Sequence, residues 1–337
     1  MKKIKLTIFI LLQAANLVAQ ESDSVKYNNA QVTFLYPIGS SGKSSMNYSN
    51  NLSINILYGL NGGLSGLEIG SLMNYNKGLV KGFQLAGVTN INTEYTKGVL
   101  LSGLSNICID STAGIFISGG LNYSNKNSKG FQLASANIVD NEFRGFQLGV
   151  FNFAKKLKGV QLGVFNYLAD SDKAVPIGIF SVVKNGNYEF EITGGEVLYS
   201  NLNYKMGVEK LYTIFKIGYS SFKNSPIYSC GLGFGSNIPL AEKQIISIDL
   251  SYNHIVHHNN WGSKLNFLSK ADFNYKYRFT EKVSALVGPS FNFYFTEEKI
   301  DGEYGTLKIP YTIYNYEGTS SKSFMWVGFN AGLSLKI

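Results

Sequence analysis

Seven glycines between Gly66 and Gly159 each open a near-copy of one short phrase, spaced 16, 16, 16, 16, 15 and 14 residues apart. The clearest copies are Gly82-Phe-Gln-Leu-Ala, Gly130-Phe-Gln-Leu-Ala, Gly145-Phe-Gln-Leu-Gly and Gly159-Val-Gln-Leu-Gly, each followed by a short apolar stretch and an asparagine. A fixed period of this kind must be recognised first, because it decides which folds need considering. Each unit reads as one strand of about ten residues plus a polar turn such as Asn-Lys-Gly. No helical period of useful length competes. The asparagine lies eight residues after Gly66, Gly82, Gly98 and Gly114, but seven after Gly130, Gly145 and Gly159. Facing in a strand alternates with period two, so this change predicts bulges or strand ends near the asparagines.

The start of the chain carries an address. Lys2, Lys3 and Lys5 precede an apolar Leu6–Leu12 and a small-residue stretch ending at Ala19-Gln20, so residues 1–20 read as a cleaved signal peptide. No later run reaches the roughly 18 apolar residues of a spanning helix. Charged residues are only 15% of the chain, against about 25% in ordinary soluble proteins. Tyrosine (22), phenylalanine (23) and glycine (36) are abundant, which suits strands and aromatic girdles. Without the signal, 27 basic residues face 22 acidic ones, spread thinly, with only two arginines, Arg144 and Arg278. That is no stripe for neutralising phosphates of a nucleic acid.

Residues 21–50 form a polar arm and first strand, and residues 51–183 hold the repeats. Asn185-Gly186 then marks a hairpin turn. Over residues 184–337 alternation becomes clean: Phe273, Tyr275, Tyr277 and Phe279 oppose Asp272, Asn274, Lys276 and Arg278. Val327, Phe329, Ala331, Leu333, Leu335 and Ile337 likewise oppose Gly328, Asn330, Gly332, Ser334 and Lys336. Segments of about ten residues, apolar on one face and polar on the other, are the pattern of a barrel with lipid outside and water inside. Glu297–Ser323 reads as a long extracellular loop. The expected fold is all-β: an antiparallel outer-membrane barrel of roughly 14–16 strands, the repeats supplying those of residues 51–183.

The Gly-Phe-Gln-Leu-Ala/Gly copies, Val175-Pro-Ile-Gly-Ile and Glu196-Val-Leu-Tyr-Ser-Asn-Leu-Asn-Tyr-Lys-Met-Gly resemble the surface-repeat family of bacterial outer-membrane proteins. Gly231-Leu-Gly-Phe-Gly and Val287-Gly-Pro-Ser-Phe-Asn continue the likeness, which covers about residues 50–337. The resemblance implies a cell-surface or outer-membrane location and brings no settled activity with it. Its chain ends on Ile337, where barrels commonly present an aromatic residue to the assembly machinery.

Little chemistry is legible. His254, His257 and His258 cluster without a nearby cysteine, so a loop-tip cluster is favoured over a zinc or copper site. Gly231-Leu-Gly233-Phe-Gly235 opens no helix and is no dinucleotide fingerprint. No nucleophile elbow is present. Cys108 and Cys230 read as small apolar fillers. Gln84, Gln132, Gln147 and Gln161 occupy equivalent places and are expected to form an amide ladder in the lumen or the wall. The expected protein is therefore a passive barrel, porin-like or structural, with no cofactor and no enzymatic activity. Its expected partners are outer-membrane lipid and the barrel-assembly machinery, with small solutes or surface polysaccharide as cargo or ligand. The alternative is a non-conducting surface β-solenoid or ribbon that binds a partner or polysaccharide. Phe83, Leu85, Phe146 and Leu148 separate the two, since a solenoid should pack them in a dry core and a barrel should turn them to lipid.

Overall fold

In the computed structural model each repeat is one coil of a parallel β-solenoid, and only the C-terminal part closes into a barrel. The structure describes residues 26–337 apart from 224 and 258–263, and it leaves out the side chains of 171–173. The signal peptide expected over residues 1–20 lies outside the described residues. The chain divides into two units between Ala113 and Gly114.

In the first unit the strands Gly63–Gly70, Val80–Ala86 and Thr96–Ser102 form one parallel row. The short strands Met73–Asn76, Thr89–Asn92 and Ser105–Cys108 form a second. The coil therefore contains two strands joined by corners. The strand Lys26–Leu35 pairs in parallel with Tyr48–Asn61 and begins the stack. In the second unit the register puts like on like: Gly130, Gly145 and Gly159 align, as do Phe131, Phe146 and Val160, and Gln132, Gln147 and Gln161.

This corrects the expectation that residues 51–183 supply barrel strands. A repeat whose copies carry the same residues in the same chain direction pairs best in parallel, because each side chain then meets its own kind. Over residues 63–118 the longer strand is also too short: Val80–Ala86 has seven residues, where a tilted spanning strand needs about 9–11. The corner Gly-Val, which extends the apolar run in the sequence, is where the strand stops. The eight-to-seven change falls in that corner. Gln84 and Asn90 both point inward, and so do Gln147 and Asn152, because a corner resets facing where a continuous strand could not.

The leading glycines explain themselves in this geometry. Gly145 has φ 138°, and a Cβ built on it would lie 2.0 Å from the carbonyl oxygen of Gly130. Only a residue without a side chain fits that column.

The second unit leaves the solenoid at Val183. Asn185-Gly186 makes a turn there, with Gly186 N–H donating to Val183 O at 3.0 Å. The expected hairpin is absent: Phe180–Val183 stays with the solenoid, and Asn187–Gly195 pairs elsewhere. Eight antiparallel strands follow: Asn187–Gly195, Ser200–Val208, Leu211–Phe222, Ser225–Ala241, Gln244–His257, Asn266–Arg278, Val283–Thr296 and Lys322–Lys336. The last pairs with the first from Lys336↔Glu189 to Asn330↔Gly195, which closes the barrel. The barrel thus has eight strands, against the 14–16 expected, because the solenoid contributes none. The segment after Thr296 is less irregular than expected. It holds a small hairpin, Lys299–Ile300 with Glu303–Tyr304, and the strand Tyr314–Glu317 paired to Lys322–Met325.

Gly145→Ala is expected to destabilise the solenoid by roughly 2 kcal/mol or more, through both the backbone conformation and the clash. Chemical unfolding of the full chain, followed by circular dichroism, checks this; an unchanged midpoint would show that the column tolerates a methyl group.

Candidate functional site

Both folds turn many polar side chains inward and many apolar ones outward. In the solenoid the inward positions form amide ladders. In the second unit Asn122 donates to Asn137 Oδ1 at 3.0 Å, Asn137 to Asn152 at 2.9 Å and Asn152 to Asn166 at 3.0 Å. The second amide hydrogen of each goes to a backbone carbonyl: Leu133, Leu148, Leu162 and Ile177 accept at 2.9–3.0 Å. A buried polar group is tolerated only when paired in this way. The first unit repeats the device with Asn74, Asn90 and Asn106.

The predicted glutamines are in this interior. Gln147 Nε2 donates to Gln132 Oε1 and Gln161 Nε2 to Gln147 Oε1, both at 2.7 Å. The structure therefore joins three of the four. Gln84 lies in the first unit, where its Nε2 donates to Glu68 Oε2 at 2.7 Å and its Oε1 accepts from Asn92 at 2.7 Å. All four are at most 1% exposed. The ladder is a wall element inside the solenoid, and it lines no lumen.

Sequence reading passed over Glu68. It is fully buried and accepts from Asn55 at 2.9 Å, from Asn76 and Gln84 at 2.7 Å each, and from Asn61. Burial raises its pKa above the usual carboxylate value, with the amide hydrogen bonds opposing. Its place in the Gln84 register marks it as the charged member of an amide row.

The sorting expected of Phe83, Leu85, Phe146 and Leu148 has an outcome neither alternative foresaw. These residues belong to a solenoid, yet they face outward; Leu85 is 38% exposed. The corner after them is apolar too, at Val88 and Leu104 in the first unit and Val150 and Val164 in the second. The opposite corner is charged, with Asp140, Glu142, Lys155 and Lys156 in the second unit.

In the barrel the inward rows carry four lysines and four carboxylates. Lys276 Nζ lies 2.9 Å from Glu189 Oε2 and 2.8 Å from Glu191 Oε1. Lys205 Nζ reaches Glu191 at 2.8 Å and Asp249 at 2.7 Å. Lys216 and Lys270 flank Asp272 at 3.5 Å each. Tyr212 donates to Asp249 Oδ1 at 2.7 Å, and Ser334 to Glu189 Oε1 at 3.0 Å. Each of these ions has a partner of opposite sign within 3.5 Å, which offsets the cost of burying it.

Further along the same inward rows the charged band gives way to an apolar cap. Leu198, Ile227, Ile255, Leu268, Tyr294 and Trp326 pack together there with Leu307, which comes from the long loop. Thr306 anchors that loop by hydrogen bonds with Tyr294 OH and Asn266. Glu196 accepts from Trp326 Nε1 at 2.6 Å and from the backbone N–H of Phe329 at 2.9 Å.

The remaining candidates are two cysteines and a histidine cluster. Cys108 and Cys230 are both free thiols; burial pushes the Cys108 thiol up to about 12, while Cys230 is exposed on the outer face of its strand. His254 and His257 sit on the fifth barrel strand, and His258 lies outside the described residues. Among the described residues no group of three or more His, Cys, Asp or Glu side chains could hold a metal ion, and no helix is long and apolar enough to cross a membrane. No protein-family profile matches the chain, and no curated protein or solved structure is significantly similar to it.

Two outcomes follow from these interiors. A carboxylate whose pKa is raised on folding binds its proton more tightly in the folded state, so stability falls as pH rises through the folded value. The first unit should thus become more stable as pH is lowered from neutrality toward the ordinary carboxylate value of 4.5. Glu68→Gln should flatten that dependence, measured as the unfolding midpoint against pH. In the barrel, Lys276→Met strands Glu189 without its cation and should cost roughly 3–5 kcal/mol, read from urea unfolding in detergent.

Proposed function

We propose that this chain is an outer-membrane surface protein whose eight-stranded barrel is a sealed lipid anchor and whose solenoid is a non-catalytic structural element. One observation carries the reading: the barrel's solvation is inverted. Ile192, Ile217, Leu250, Phe329 and Leu333 are 57–64% or, for Phe329, 54% exposed on the outer wall, while Lys205 and Lys276 are at most 1% exposed within. In water each such apolar side chain forgoes about 1.5–3 kcal/mol of burial, over a patch larger than soluble monomers tolerate. Lipid as the outer solvent removes that cost, and closure leaves no strand edge for lipid to meet. The resemblance in the repeats and the address at the start of the chain point the same way.

Within this reading the structural role is favoured over the porin-like one. Eight strands leave an interior just wide enough for side chains to fill, and here ion pairs and an apolar cap occupy it. Solutes would have to displace paired ions. A polysaccharide site on the repeat amides is not favoured either, because Gln84, Gln132, Gln147 and Gln161 face inward.

Two measurements test the proposal. Unheated and boiled samples of the detergent-extracted protein should migrate differently on a gel, as closed membrane barrels do. Planar bilayers should stay electrically silent over many insertions. Equal mobility would argue against a membrane barrel; stepwise conductance would restore the pore.

A further inference from the structure

The second unit's solenoid carries an apolar edge that continues onto the barrel's outer wall. The rings of Phe151, Phe165 and Phe180 stack with centroids 5.1 and 4.9 Å apart. The row then passes to Phe215 on the barrel at 5.5 Å, to Tyr204 at 6.4 Å and to Phe190 at 4.9 Å. Phe190 belongs to the same outward face as Ile192. The row thus begins on the solenoid and ends on the surface assigned above to lipid.

The edge also satisfies part of its backbone from within. Its corner carbonyls are paired from within: Leu148 O accepts from Ala134 N–H and Asn137 Nδ2, Leu162 O from Gly149 N–H and Asn152 Nδ2, and Ile177 O from Gly163 N–H and Asn166 Nδ2. In hydrocarbon an unpaired carbonyl costs several kcal/mol.

Five residues before the corner lies a row of cations in register, Lys129, Arg144 and Lys158. Like charges side by side on a sheet repel. Glu142 lies 3.1 Å from Lys158 and also pairs with Arg144, so one carboxylate serves this pair and the row keeps a net positive charge. Five residues of strand span about 16 Å, close to the depth of one hydrocarbon leaflet, about 15 Å. Cations at that height, above an apolar edge, match the phosphates of a lipid headgroup layer.

We propose that the apolar edge around Val150, Phe151, Val164 and Phe165 is immersed in one leaflet, with Lys129, Arg144 and Lys158 on the phosphates of anionic lipid headgroups. This rests on the reading of the barrel as membrane-embedded and extends it to the solenoid. The coil is then a monotopic wing beside its anchor.

The full chain offers its own control. Cys230 is exposed on the barrel's outer wall and Cys108 is buried, so an environment-sensitive nitrobenzoxadiazole label on wild-type protein reports the barrel. The same label on Phe165→Cys in a Cys230→Ser background reports the edge, and Val150→Cys repeats it outside the ring stack. All three labelled proteins are reconstituted in phosphatidylcholine vesicles with or without phosphatidylglycerol, and heat-modifiable mobility verifies folding. Nitroxides on the acyl chains should quench both labels at least twofold. Anionic lipid should strengthen quenching at position 165, and the Lys129→Gln, Arg144→Gln, Lys158→Gln variant should lose that increment.

A quenched barrel label beside an edge label that stays water-like would overturn the proposal and leave the barrel reading standing. If both labels stay water-like, the barrel reading itself fails. An edge label that is shielded, unquenched by lipid and sensitive to protein density would assign the edge to a second copy of the chain. An anionic-lipid increment that survives the triple variant would overturn the assignment of the cations to headgroups.

Discussion

Everything in this structure depends on polar groups that face inward satisfying one another. A conventional core gains stability from the apolar area it removes from water. Here much of the interior is amide in the solenoid and ion pairs in the barrel, and the gain must come from dense, mutual hydrogen bonding. The stacked asparagines use both hydrogens of each amide, one along the stack and one to a carbonyl. A ladder of this kind is cooperative and intolerant of gaps. It fixes the register of every coil, because a slip of one residue would put Phe146 where Gln147 now bonds.

The two architectures solve the same problem with different symmetry. In the solenoid a residue meets its own copy in the next coil, so uncharged amides serve best: each is donor and acceptor at once. Lysine or glutamate stacked in this way would repel. Glu68 is tolerated because its neighbours in the row and across the interior are amides that all donate to it. The barrel brings different residues together across its interior, so opposite charges can alternate, as Glu189, Lys276, Glu191, Lys205 and Asp249 do. Toward the charged corner the interior of the last coils becomes apolar, with Val139, Phe143, Leu157 and Leu168. Polar interior lies beneath apolar surface, and apolar interior beneath charged surface.

Much of this was legible in the chain. The strand alternation placed Asp272, Asn274 and Lys276 opposite Phe273, Tyr275 and Tyr277, and the structure buries the first set and exposes the second. The repeat marked Gln132, Gln147 and Gln161 as equivalent, and equivalence in a stack becomes contact. The break in pattern after Val183 is where the solenoid ends. Other features were hidden. Lys205 and Glu191 are 14 residues apart and meet Asp249 and Lys276 from other strands, a convergence that period-two facing cannot specify. Glu68 was masked because it stands where the clear copies of the repeat carry glutamine.

Sequence by itself determined which side chains share a face, where the period holds and that the chain is built from strands, since these follow from local geometry and spacing. Tertiary structure alone decided that the repeats pair in parallel and that eight strands suffice to close the barrel. Alternation is unchanged when a strand's partner or direction changes. What separates a stacked coil from a barrel strand is the glycine column and the corner before each asparagine, and both acquire meaning only when one coil lies against the next.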